Sequence, residues 1–158
     1  MIRRLTVDDF EAFRELREEA MRLYPESFGS PEEEQGGETR DAAYRHWLNG
    51  EIFGAFEDGK LVGATGFYIP ADKSYGQIFT VYVRNAYRRK GIGDRLLKSI
   101  LGLAEGRVDQ VHLCVVHTAK DAIETYLRNG FEICGTEPRA FSLGDIHYDE
   151  LLMAKKLR

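Results

Sequence analysis

The sequence is short of cysteine, of long apolar runs and of excess positive charge, and each shortage removes a class of protein. Two cysteines in 158 residues, Cys114 and Cys134, are too few for the disulfide framework of a small secreted scaffold. Neither has histidine at ligand spacing, and His46, His112 and His147 stand alone, so no metal site is expected. Both cysteines fall in apolar stretches that read as strands, where they should be reduced and buried small hydrophobes. No apolar run approaches the ~20 residues that a membrane-spanning helix needs, and Met1-Ile2-Arg3-Arg4-Leu5 has no apolar signal region. The expectation is a cytoplasmic protein with no membrane partner. A formal charge of -4 speaks against a general nucleic-acid binder.

What is present suits one globular domain over residues 1–158, at 43% hydrophobic and 30% charged. The richest stretch is Val81 to Ile100. An apolar, β-branched run ends at Val83, a basic turn follows, and Ile92, Leu96, Leu97, Ile100, Leu101 and Leu103 then form a helical stripe. Gly91 and Gly93 stand where that helix should begin and let the backbone approach a ligand closely. Unpaired amides at a helix N-terminus attract phosphate or pyrophosphate, and Arg88, Arg89 and Lys90 add positive charge beside them. A phosphorylated cofactor is the expected ligand. The dinucleotide fingerprint G-x-G-x-x-G fails at Leu96, and the nucleotide-triphosphate loop fails because Asp94-Arg95 follows Gly93.

Arg88-Arg89-Lys90-Gly91-Ile92-Gly93 resembles the R-x-x-G-x-G pyrophosphate loop of the GNAT superfamily, the acetyl-CoA-dependent N-acetyltransferases. Val83 to Gly93 is similar to that family's V-x-P-x-Y-R-x-K-G-I-G, with Asn85 for proline, a change expected to matter little because Asn also favours turns. Ala122 to Phe131 looks like its A-I-x-x-Y-x-x-x-G-F block. The resemblance implies an α/β (α+β) fold of the GNAT kind, a mixed central sheet of six to seven strands with about four flanking helices. It implies that the strand before the basic loop and the strand after the crossover helix splay apart, and acetyl-CoA as acetyl donor, with pantetheine amides in that opening pairing to the backbone near Val81, Tyr82 and Val83, and the diphosphate on the loop from Arg88 to Gly93, Ile92 included.

The rest of the chain fits that order. A short strand at Ile2 to Leu5 precedes a helix capped from Thr6-Val7-Asp8-Asp9 and carrying Phe10, Phe13, Leu16, Arg17, Ala20 and Leu23. Tyr24 to Gly37 reads as a mobile loop or short turns, and a helix from Glu38 should carry Ala42, Ala43, His46, Trp47 and Leu48. Ile52 to Ile69 is a hairpin about Asp58-Gly59, followed by a strand from Tyr75 to Val83. Gln110 to Val116 reads as a buried parallel strand, Lys120 to Asn129 as a helix closed by Gly130. Phe131 to Gly135 starts another strand, and Ile146 to Lys156 makes the last.

For the chemistry, Tyr126 matches the family tyrosine that protonates the coenzyme thiolate; a core tyrosine is the alternative. The oxyanion falls to a backbone N–H near Val81 or Val83. The general base is open. The strand before the loop, Gln77-Ile78-Phe79-Thr80, has no acid, which leaves a water relay, His117, Glu33 or Glu34. Ala119 stands where relatives have an asparagine that touches the cofactor, so Thr118 or Lys120 must replace that bond or it is lost. Trp47 and Tyr24 line either the acceptor pocket or the core. The acceptor is expected to be a primary amine, small molecule or peptide. Glu32-Glu33-Glu34 hints at a cationic one, and the edge near the last strand offers a homodimer surface. A coenzyme-A-binding sensor without turnover is the competing function.

Overall fold

The structure, a computed structural model, describes residues 1–28 and 38–158. In chain order it has β1 (Ile2–Arg4), α1 (Phe10–Leu23), α2 (Pro25–Phe28), α3 (Glu38–Leu48), β2 (Glu51–Glu57), β3 (Lys60–Tyr68) and β4 (Tyr75–Val83). There follow α4 (Ile92–Ala104), β5 (Gln110–Val116), α5 (Lys120–Arg128), β6 (Glu132–Leu143) and β7 (Ile146–Lys156). The strands form one seven-stranded mixed sheet in the order β1-β2-β3-β4-β5-β7-β6. All neighbours are antiparallel except β4 and β5, which the α4 crossover joins in parallel.

Local chemistry explains most element boundaries. Thr6 and Asp9 form a capping box ahead of α1, and Arg3 clamps the Asp9 carboxylate at 2.8 Å, holding it below the usual carboxylate range. Asp58 and Gly59 both adopt positive φ, 49° and 78°, as a two-residue hairpin turn demands, so the Asp-Gly reading holds. Gly130, at φ 93°, ends α5 after Asn129.

Helices cover the sheet unevenly. On one face α1 and α3 bury Phe13, Leu16, Tyr44 and Leu48 against Leu5, Ile52, Leu61, Ala64 and Tyr82. Tyr44, fully buried and edge-on to Phe13 at 5.6 Å, is the deepest residue of α3, whereas Ala42 and His46, expected on its inner stripe, are exposed. On the other face α4 sets Leu97 and Ile100, and α5 sets Tyr126, against Val111, Leu113, Val115 and Met153. Truncating any one of the fully buried leucines there to alanine would cost about 2–5 kcal/mol. The α1/α3 layer spans β2 to β4, and the short α2 carries it as far as β5. Cys114 lies on that side and is exposed, and Cys134 on β6 is exposed too, contrary to the expectation of burial. A β-branched run can be covered on one face only.

Candidate active site

The sheet opens in its middle. β4 and β5 pair from Tyr75↔Gln110 to Gln77↔His112 and then part, although β4 continues to Val83 and β5 to Val116. Against β3, β4 also carries an extra residue between Phe79 and Tyr82, a bulge of the sort that bends a strand out of its ladder. The parting that the family resemblance implied is therefore present. Arg84 N–H donates to Val62 O on β3 at 2.8 Å. By strand alternation Val83 then turns its backbone groups the other way, toward the opening.

The basic loop and the start of α4 stand at the head of this opening. Arg89 has φ 62° and Gly91 φ 79°, a sequence of handedness that turns successive N–H groups to one side. Among the described residues the N–H groups of Arg89, Lys90, Gly91, Ile92, Gly93 and Asp94 donate to no protein acceptor. An alanine Cβ at Gly93 would meet no atom within 4 Å, and its φ is ordinary. Nothing inside the protein requires glycine there, so the bare backbone is room for a ligand. The loop side chains Arg88, Arg89 and Lys90 are exposed.

Arg88 is less free than the sequence suggested. Its Nε donates to Val83 O at 2.7 Å, its Nη1 donates to Tyr24 Oη at 3.1 Å, and its guanidinium lies over the rings of Tyr24 and Tyr82. Tyr24 Oη in turn donates to Asn85 Oδ1 at 2.6 Å. Asn85 thus has a partner that a proline could not offer. Tyr82 faces away from the opening, and its hydroxyl donates to Glu19, which also pairs with Arg84; burial, then that bond, pushes the phenol up.

Tyr126 sits on α5 under the sheet, buried against Phe131, and burial raises its phenol above the ordinary value. The start of α4 is tied to the end of the same helix. Asp94 accepts from Arg128 at 3.0 Å and from Asn129 at 2.7 Å, and Arg128 first, then Asn129, hold its carboxyl low. Ala119 is the N-cap of α5 and supplies no side-chain cap. His117 Nδ1 stands against the Asp149 backbone, 3.1 Å from its N and 3.2 Å from its O, and the His117 N–H donates to the same carbonyl at 3.0 Å. Trp47 packs in the core between Phe13, Tyr44 and Phe79. Glu33 and Glu34 lie outside the described residues. Among the described residues no group of three or more His, Cys, Asp or Glu could hold a metal, and no helix is long and apolar enough to cross a membrane.

An arc of N–H groups without a protein acceptor at a helix start, beside a parted pair of parallel strands, is a geometry suited to a phosphorylated ligand. Residues 13–131 match the model of the acetyltransferase (GNAT) family, and the chain belongs to that family, whose cosubstrate is acetyl-CoA. Among solved structures it is similar to an acetyltransferase of the GNAT family from Streptococcus pneumoniae, at TM-score 0.83 and 21% identity over 100% of this chain and 99% of that one. It is similar also to yncA from Salmonella typhimurium, solved with its cofactor acetyl-CoA (TM-score 0.84, 20% identity, 100% and 94% covered). A third is the ribosomal-protein-S18-alanine N-acetyltransferase from Escherichia coli (TM-score 0.76, 20%, 99% and 93%). No curated protein matches the chain in sequence.

Proposed function

We propose that this chain is a single-domain cytoplasmic N-acetyltransferase that moves the acetyl group of acetyl-CoA directly to a primary amine of a small molecule or peptide. The observation that carries the reading is the run of unpartnered N–H groups from Arg89 to Asp94 at the head of the β4/β5 opening. Those amides hold the diphosphate, with Arg89 and Lys90 adding charge, and the pantetheine arm runs down the opening against the backbone of Val81 to Val83. The acetyl carbonyl then meets a backbone N–H of Val83 or Val81, which receives the oxyanion. Tyr126 gives its proton to the departing thiolate. A phenol raised by burial stays protonated through neutral pH, so its proton is present when the thiolate departs.

The test is coenzyme release measured across a panel of primary amines, together with calorimetry of acetyl-CoA. Binding with turnover of at least one amine is expected. Tight binding with no turnover across a wide panel would instead make the domain a coenzyme-A sensor, and absence of binding would defeat both readings.

A further inference from the structure

Amine acetylation needs an acceptor for the ammonium proton, and β4, reading Tyr75 to Val83, holds no carboxylate. Nearby groups are committed. Glu19 serves Tyr82 and Arg84, Asp149 Oδ1 accepts Arg139 N–H at 2.8 Å, and His117 Nδ1 is held on the Asp149 backbone. Resting on the N-acetyltransferase reading above, we propose that Glu150 on β7 is the general base of the transfer, reaching the amine directly or through one water.

Strand register places it. Val116 faces Glu150 and Cys114 faces Leu152 across the β5/β7 ladder, so these side chains leave the sheet together, on the face opposite Tyr126. Since β5 has already left β4 at His112, Cys114 and Val116 border the opening, and Glu150 stands one strand spacing behind, about 4.8 Å. An extended glutamate spans that distance. Its carboxylate does reach over β5, because after burial it is the leading influence that pushes the Cys114 thiol up. Directly across the next ladder from Glu150 is Glu137 on β6. Like charges so placed cost stability, and neither forms an ion pair among the described residues. An arriving ammonium relieves that repulsion.

In the resulting step Glu150 takes one proton from the ammonium and passes it to solvent. The freed amine forms the N–C bond to the thioester carbonyl, and the C–S bond breaks. The thiolate takes the Tyr126 proton, and the remaining surplus N–H proton leaves through solvent, which resets the phenol. Acid and base thus serve the opening from opposite faces of the sheet.

The experiment compares wild type, Glu150→Gln and Glu137→Gln on an amine that the wild type acetylates. Glu150→Gln should lower kcat about 10²- to 10³-fold. Its acetyl-CoA Kd should stay within twofold and its Tm should be equal or higher, since one of two facing charges is gone. Glu137→Gln should keep kcat within threefold. Retained kcat in Glu150→Gln, or equal losses in both variants, would overturn the assignment while leaving the N-acetyltransferase reading intact. A wild type that binds acetyl-CoA yet acetylates no amine overturns both.

Discussion

Glycine at 93 separates fold from function cleanly, because the same substitution should push stability and affinity in opposite directions. Valine there adds bulk where a Cβ meets no protein atom, at a residue of ordinary φ in the first turn of α4. Glycine is the poorer helix former by a few tenths to about 1 kcal/mol, so Gly93→Val should fold with a Tm unchanged or raised by about 1–3 °C. The ligand sees the reverse. A side chain over the amide bed removes at least one charge-assisted hydrogen bond to the diphosphate, about 1.5–3 kcal/mol. At 1.4 kcal/mol per tenfold, the Kd for acetyl-CoA should rise about 10- to 100-fold by calorimetry. Gly102→Val is the matched control, since Gly102 lies in the same helix, is exposed and has equally empty surroundings. It should change Tm in the same sense and leave Kd alone. Wild-type affinity in Gly93→Val would refute the amide bed as the diphosphate site.

Tyr126→Phe should keep the acetyl-CoA Kd and lower kcat at least about 10²-fold in steady-state assays; unchanged turnover would strip the phenol of its acid role. Asp94→Asn tests the clamp between α4 and α5 by urea unfolding at two pH values. The native carboxyl is held low by Arg128, so its contribution is present above the unfolded value near ~3.9 and fades as pH falls through the lower native value. The variant should therefore trail wild type by about 1 kcal/mol at pH 7, a figure kept small by the exposure of Arg128, and close the gap steadily as pH falls below the unfolded value. A deficit that does not shrink on acidification would mean that packing, not charge, is lost. Ala119→Asn supplies the missing cap of α5 and should add about 1 kcal/mol, or 2–4 °C in Tm, by thermal unfolding; no gain would show those amides already satisfied.

What the sequence disclosed was whatever local chemistry decides. Asp58-Gly59 forces a hairpin, Thr6 with Asp9 starts a helix, and two glycines after three cations mark an anion-binding loop, each within a few residues. The parting of β4 from β5 depends on a bulge in the distant β3/β4 register, and only the family resemblance anticipated it. Burial of Cys114 was misjudged for a related reason. An apolar strand reads alike whether helices cover one face or two, and α1 and α3 are spent over β2 to β4. Tyr24 with Asn85, and Glu150 across from Val116, join residues far apart in the chain, and neither carries a pattern of its own. Asn85 gave the one available hint, as a polar departure where relatives have proline.

Arg88 shows why the two halves of the site are not independent. As the first residue of the loop motif it invites assignment to phosphate, yet its Nε is fixed on Val83 O and its Nη1 on Tyr24 Oη, with both tyrosine rings beneath its plane. A guanidinium so committed contributes field more than contact. The diphosphate then rests chiefly on amides that the backbone already aims, which cost no reorganisation when the ligand arrives. Tyr24 caps α1 and opens the segment that reaches β5, while Val83 lies where β4 has parted from β5. One side chain therefore ties the end of α1 to the end of β4, and Asn85 completes the tie by accepting a hydrogen bond from the same phenol.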